Sequence, residues 1–370
     1  MTDLMDRLEL KQHLFPALSA LAGSGSDGLG DRLGAIYGHD AKWRGSAPID
    51  AANGVGEIEN RVWRPLMTAF PDLERRDSIF VAGPSRHDPE RTGGDRPMRV
   101  AAMGHLCGTF REPWLGIAPT GGAVYVRYGE VHEIADDGRI ERTTMLIDVL
   151  DVIRQAGFWP IAPSLGAEEM WPAPITADGI VLRETDAAEG EESIEATLAM
   201  HRALADFDDA EAQREGRLRE ALLSMPQRDH WHEKMMWYGP AGVGTCRGLQ
   251  GFVDVHQRPF RVSFPNRKGG ATLNELKDEG GGGHYIQIGD GPYSVTGGFP
   301  SVRAMHLGGE WLGAAPTGRA IQMRVMDFYL HYEGLIRENW VPLDTIDLLR
   351  QMGIDVMDRA RRHFGTENLA

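Results

Sequence analysis

The sequence predicts an α+β protein made of two fused, cone-shaped α+β barrels, each a curved, mostly antiparallel sheet wrapped on helices. Three observations predict it. One loop occurs twice, as PWLGIAPTG at 113–121 and EWLGAAPTG at 310–318. The segment DVLDVIRQAG at 148–157 recurs as DTIDLLRQMG at 344–353. Within each copy, helical stretches come first, long β-rich segments follow and a helix ends the unit, which is the order of an α+β domain.

Weaker echoes keep the same order. RPLMTAFPD at 64–72 matches RPFRVSFPN at 258–266, AAMGHL at 101–106 resembles VRAMHL at 302–307, and HDAKWRG at 39–45 resembles HEKMMWYG at 232–239. The period is far longer than that of stacked solenoid repeats, so the pattern reads as duplication of a whole domain. A chain of 370 residues has room for two. We place the first domain at 1–165, a linker at 166–190 and the second domain at 191–370. The linker is marked by a change from a Pro-rich to a strongly acidic, helix-periodic composition.

The second copy is the more legible at its end. RAIQMRVMDFYLHY has strong β composition. EGLIRENWVPL supplies a turn and a second strand. DTIDLLRQMG then reads as a helix, with Asp344 as N-cap, Asp347 in the first turn and Gly353 as terminator. Asp148, Asp151 and Gly157 hold the same places in the first copy.

Bulk properties remove whole classes of function. The net charge of −15 argues against a nucleic-acid partner and against an anionic membrane surface. No apolar run is long enough to span a bilayer, and the N-terminal residues lack a signal-peptide layout. Two cysteines, Cys107 and Cys246, make neither a disulfide framework nor a four-ligand zinc site. The expectation is a cytoplasmic protein with free thiols. No dinucleotide, P-loop or nucleophilic-hydrolase motif is present, and GPAGVGTCRG at 239–248 reads as a loop.

Strand alternation selects the first candidates. Ile321, Met323, Val325, Asp327 and Tyr329 share one face, as do Val124, Val126, Tyr128, Glu130 and His132 in the first copy. Each face carries one carboxyl among apolar neighbours. Burial raises a carboxyl pKa toward neutrality, which suits proton transfer. Asp327 is therefore the leading catalytic candidate and Glu130 its first-copy equivalent.

The stretch from Ala304 to Gly353 (AMHLGGEWLGAAPTG through DTIDLLRQMG) resembles the C-terminal half of a SnoaL-like polyketide (ester) cyclase domain. That resemblance spans most of 225–355, and 101–160 in the first copy. It implies tandem domains of the nuclear-transport-factor-two-like α+β cone fold. His306 resembles the histidine of the family's Thr-His-x-Gly stretch, with Met305 in place of threonine, and is the second catalytic candidate, the expected acid/base partner of Asp327; His105 is its rough first-copy counterpart. The resemblance also implies a general-base aspartate just before the last helix, but Val341 and Met145 stand at the matching positions. Family domains dimerise through their sheets, so the fused pair is expected to be an internal pseudo-dimer, open to homo-oligomerisation.

The remaining candidates line a pocket: His232, Trp237, Tyr238, His256, Tyr285 and Trp340 supply imidazole and aromatic groups suited to a hydrophobic small molecule. Several histidines suggest a metal site, but spacing alone is weak evidence for one, and a neutral imidazole and aromatic lining is the preferred reading. KDEGGGGHY at 277–285 reads as a flexible hairpin or lid. The function these residues imply is cofactor-independent acid/base chemistry on a polyketide-like substrate: cyclisation, isomerisation, dehydration or hydrolysis. A small-molecule binding protein or scaffold is the alternative, favoured by the missing aspartate.

Overall fold

The computed structural model describes residues 6–85, 97–269, 283–309 and 311–367. Most of KDEGGGGHY lies outside them. The first half opens with α1 (Arg7–Gly23) and α2 (Leu29–Ile36). Strands β1 (Tyr37–Gly45) and β2 (Ala51–Asn53) follow. The run α3 comprises the abutting segments Gly54–Ile58, Glu59–Trp63 and Arg64–Ala69, with the middle one π-helical. Then come β3 (Glu74–Pro84), β4 (Met98–Thr109), β5 (Ala123–Ile134), β6 (Ile140–Ile147) and α4 (Val149–Gln155).

The second half repeats that order. After α5 (Ala187–Ala205), a short helix at Ala210–Arg214 and α6 (Leu218–Ser224) come β7 (Trp231–Tyr238) and β8 (Thr245–Arg247). The run α7 comprises Gly248–Phe252, the π-helical Val253–Gln257 and Arg258–Ser263. Strands β9 (Lys268–Gly269), β10 (Ile286–Asp290), β11 (Tyr293–Met305), β12 (Ala320–Tyr332) and β13 (Leu335–Trp340) lead to α8 (Thr345–Gln351) and α9 (Val356–Phe364). Helix α5 begins at Ala187, inside the stretch read as linker.

Both sheets have one topology. The first runs β2-β1-β6-β5-β4-β3 and the second β8-β7-β13-β12-β11-β10, with β9 added beside β11. Each is antiparallel except for one parallel pair, β1 with β6 and β7 with β13. Local detail repeats as well. Leu115 and Leu312 both take positive φ (55° and 54°), and Gly116 and Gly313 follow in the same region. Trp114 packs edge-on against Phe70, and Trp311 packs edge-on against Phe264.

Each sheet has an inner face turned toward its own helices and an outer face turned toward the other sheet. On β12, Ile321, Met323 and Tyr329 belong to the inner core. Met326, Phe328 and Leu330 point the other way and join Ile79, Val81, Ala101, Met103 and Val131 of the first sheet in a core between the sheets. Close approach is enforced by glycine. A Cβ on Gly83 of β3 would meet the Gly289 carbonyl oxygen at 2.9 Å, and one on Gly190 of α5 would meet the same oxygen at 2.9 Å.

A reciprocal polar clasp ties the halves together. Asp148 caps α4 and also accepts the Ala241 N–H from the other half at 2.9 Å. Asp344 caps α8 and accepts the Ala47 N–H at 3.0 Å. The same patch of each half therefore meets its counterpart, as in an isologous dimer interface. The connection between the halves is fastened to both sheets: Phe80 donates to the Gly179 carbonyl at 2.8 Å, and Trp340 Nε1 donates to the Pro172 carbonyl at 2.9 Å. Buried Lys11 of α1 reaches Asp290 of β10 at 2.7 Å. Among the described residues no helix is long and apolar enough to cross a membrane.

Candidate functional site

The inner face of the second sheet carries a row of polar groups across its strands. Thr296 on β11 pairs in register with Asp327 on β12. Tyr329 pairs with Asn339 on β13, and Asn339 with Trp237 on β7. Two further groups close over this row: His201 from α5 and His284 from the segment entering β10.

Asp327 is buried, with only 8% of its surface exposed. Asn339 Nδ2 donates to its Oδ1 at 3.3 Å. The Tyr329 hydroxyl also reaches this carboxyl and favours its charged form. His284 Nδ1 lies 3.8 Å from Oδ2 and shares a 3.0 Å hydrogen bond with the Thr296 hydroxyl. His201 Nε2 sits 2.9 Å from the Tyr329 oxygen, and its ring meets that of His284 with centroids 4.5 Å apart.

Electrostatics follow from this geometry. Burial pushes the Asp327 carboxyl up to about 7, and the hydrogen bonds from Asn339 and Tyr329 offset only part of that rise. Burial pulls His284 down to about 4 and His201 far below its ordinary value. Both imidazoles are thus neutral near pH 7, and the 3.8 Å approach of His284 to Asp327 is no ion pair there. No described arginine or lysine pairs with Asp327.

Glu130 occupies the equivalent inner-face position of β5, opposite Ala102 on β4. Its surroundings differ in kind. Arg75 NH1 stands 2.6 Å from Glu130 Oε1, and His132 Nε2 stands 3.1 Å from the same oxygen. The Arg75 fork also holds Asp77, through Nε at 2.9 Å and NH2 at 2.8 Å, and the Tyr128 hydroxyl bonds Asp77. Burial pushes Glu130 up, but Arg75 and His132 outweigh it and hold the carboxyl at about 2.

The other predicted residues divide. Trp237 is on the inner face and stacks on His256 at 4.4 Å. His256 lies in the π-helical segment of α7, burial holds it at about 3, and its Nδ1 is buried without a hydrogen-bond partner. Tyr238, Tyr285 and Trp340 are corrected: they point to the outer face and pack between the sheets. The Tyr238 hydroxyl donates to Glu338 at 2.9 Å, and its ring stacks on Trp340. The physical reason is parity, since residues adjacent along a strand face opposite ways. His232 is corrected too. It is the second residue of β7, where its Nδ1 accepts the Lys234 N–H and its ring meets exposed Tyr332.

His306 and Asp327 do not meet. His306 follows Met305, which pairs with Ala320, whereas Asp327 lies seven residues further along β12. At about 3.3 Å per residue that is roughly 23 Å. His306 is buried, shares a 3.1 Å hydrogen bond with Thr317 and packs on Phe264. These contacts place it against the repeated loop, away from Asp327. His105 is on the outer face of β4, the opposite side from Glu130, edge-on to Tyr125.

Sequence reasoning missed His201, Thr296, Asn339 and His284 as partners of Asp327. One signal was present: Thr197 and His201 sit one helical turn apart beside buried Ile194 and Leu198, on the apolar side of an acidic helix. Among the described residues no group of three or more His, Cys, Asp or Glu side chains is placed to hold a metal ion.

No family model matches the sequence, and no curated protein matches it. Solved structures do. A protein named for the SnoaL-like polyketide cyclases, from Jannaschia sp. CCS1, is similar at 22% identity over 40% of this chain and 94% of its own, with a TM-score of 0.29. An NTF2-like protein from Burkholderia xenovorans LB400 is similar at 14% identity over 44% of this chain and 97% of its own, with a TM-score of 0.27. TerC, crystallised with polyporic acid, is similar at 16% identity over 44% and 98%, with a TM-score of 0.29.

Proposed function

We propose that the second half is a small-molecule enzyme in which Asp327 acts as the proton-transferring group on an uncharged, hydrophobic, polyketide-like substrate, without a resident cofactor. We further propose that the chain arose by duplication of one domain, and that the first half now serves as its packing partner. Cyclisation, isomerisation, dehydration and hydrolysis all suit one such group. The observation that carries the reading is the state of Asp327: buried, without a described cationic partner, and held at about 7 among neutral hydrogen-bonding groups. A carboxyl in that state exists in both protonation forms near neutrality, as acid/base catalysis needs. An anionic substrate would find no described cation there to offset its charge.

The test uses a panel of uncharged aromatic β-dicarbonyl compounds in deuterated buffer, with C–H exchange followed by NMR. Asp327→Asn is expected to lose activity by about 100-fold or more while keeping the wild-type circular-dichroism spectrum. Exchange that is as fast in Asp327→Asn as in the wild type overturns the reading. A second reading, a binding module without turnover, is favoured by the apolar Val341 and Met145 before the last helices. It predicts ligand affinity that survives Asp327→Asn with no exchange above buffer.

A further inference from the structure

Three side chains of the second half share one line of hydrogen bonds, and the middle one has a single proton. The Tyr329 hydroxyl lies between the Asp327 carboxyl and His201 Nε2, 2.9 Å from the latter. His201 Nδ1, the far nitrogen of the ring, is sealed from solvent and has no hydrogen-bond partner among the described residues. A buried imidazole nitrogen without a partner is costly unless something meets it.

The Thr296 hydroxyl also reaches Tyr329; within the line of Asp327, Tyr329 and His201, two arrangements keep every hydrogen bond with one donor and one acceptor. With Asp327 ionised, Tyr329 donates to the carboxylate. Its oxygen then accepts from His201 Nε2–H, and Nδ1 carries a lone pair. With Asp327 protonated, the carboxyl O–H donates to the Tyr329 oxygen. The phenol proton turns to Nε2, and Nδ1 carries the hydrogen. We propose that Asp327, Tyr329 and His201 form a proton relay whose second port is the Nδ1 face of His201.

One passage of the relay balances as follows. The carboxyl O–H, the phenol O–H and the imidazole Nδ1–H break. A new phenol O–H, an Nε2–H and a bond from hydrogen to an acceptor at Nδ1 form. The imidazole never becomes a cation, which agrees with burial having pulled it far below its ordinary pKa. In this way a proton held by Asp327 is given up beside Nδ1 and the ionised arrangement is left, while a proton entering at Nδ1 restores the protonated one. The relay rests on the acid/base reading of Asp327 and adds His201 to it.

The groups facing Asp327 come from every element packed on it: Tyr329 from β12, Asn339 from β13, Thr296 from β11, His284 ahead of β10 and His201 from α5. Arg202 on α5 adds positive potential at His201 and further disfavours its cationic form. The first half lacks the arrangement. His132 stands where Tyr329 does, and Arg75 clamps the carboxylate.

The experiment is NMR of the full chain carrying nitrogen-15 histidine and carbon-13 aspartate, from about pH 5 to about pH 9. His201→Gln assigns the His201 signals. In the wild type, the His201 Nδ1 and Nε2 resonances are expected to exchange roles with the midpoint of the Asp327 carboxyl signal, without passing to the cationic form. In Asp327→Asn the exchange is lost. In Tyr329→Phe the carboxyl still titrates while His201 keeps one tautomer. Role exchange that persists in Asp327→Asn overturns the relay. A titrating Asp327 beside a His201 that keeps one tautomer in the wild type overturns the relay alone. An Asp327 that does not titrate in this range overturns the acid/base reading beneath it as well.

Discussion

The inner faces of the two sheets place a carboxyl at the same point and treat it in opposite ways. Glu130 is clamped by Arg75 and stays ionised, with Asp77, Tyr128 and His132 filling the space around it. Asp327 has no described arginine, and its neighbours are a tyrosine, an asparagine and two neutral histidines. A buried ion network is a rigid core that happens to be polar. A buried carboxyl held near 7 changes its protonation state near neutrality. The strand order is common to both, so the difference lies in a few inward side chains.

The largest expected effect breaks the first half's network. Arg75→Met leaves Glu130 and Asp77 buried without their guanidinium and is expected to cost about 3–5 kcal/mol, read from the urea midpoint. Asp327→Asn, at the matching place in the second half, is expected to fall within about 1 kcal/mol of the wild type near pH 5, since it removes no ion pair. Equal losses in the two variants would show that the halves do not differ in this way.

The pH dependence sharpens the same contrast. The Glu130 pKa is lowered to about 2, so its contribution is present above its ordinary 4.5 and lost as pH falls through about 2. The Asp327 pKa is raised to about 7, so its contribution is complete below 3.8 and lost as pH rises through about 7. Asp148 and Asp344 are raised to about 6 by burial and share the second sign at lower pH. Asp327→Asn is therefore expected to remove on the order of 2–4 kcal/mol of the fall in stability between pH 5 and 8, with the part due to the two capping aspartates remaining. Urea melts at the two pH values check this. An unchanged slope would mean that Asp327 is already ionised at pH 5.

How much of this was legible follows from what kind of signal each residue gives. The frame was legible because duplicated loops and capped helices are local: Asp148 and Asp344 accept the Asp151 and Asp347 N–H groups as the spacing predicts. Strand parity put Asp327, Tyr329, Glu130 and His132 on inner faces. By the same rule Tyr238 and Trp340 face outward, opposite to Trp237 and Asn339, and they pack between the sheets. What the sequence hides is long-range partnership. His201 is separated from Tyr329 by 128 residues, and Arg75 from Glu130 by 55, and no periodicity links either pair.

The clasp gives a smaller contrast. Arg127 and Arg324 are equivalent, each gripping the two aspartates at the start of α4 or α8. Arg127 is almost wholly buried and lies over Trp171, whereas the Arg324 side chain is 30% exposed. Arg127→Ala is expected to cost about 3 kcal/mol and Arg324→Ala about 1 kcal/mol in thermal or urea melts. The reverse order would show that burial does not decide the strength of the clasp.

The smallest effect concerns a place where the halves are alike. Gln155 accepts the Tyr125 N–H at 2.9 Å and donates to the Tyr125 carbonyl at 2.8 Å. Gln351 does the same with Gln322, at 2.7 and 2.8 Å. Each amide thus mimics a strand and satisfies the edge of β5 or β12 beside the terminal helix. Truncation to Ala exposes those backbone groups to water instead of orphaning them, so each variant is expected to lose only about 1 kcal/mol. Because the two sites share no partner, the double variant should lose the sum. Unequal losses would carry the difference between the halves beyond their inner faces and into the frame, and equal, additive losses would confine it to the side chains around Glu130 and Asp327.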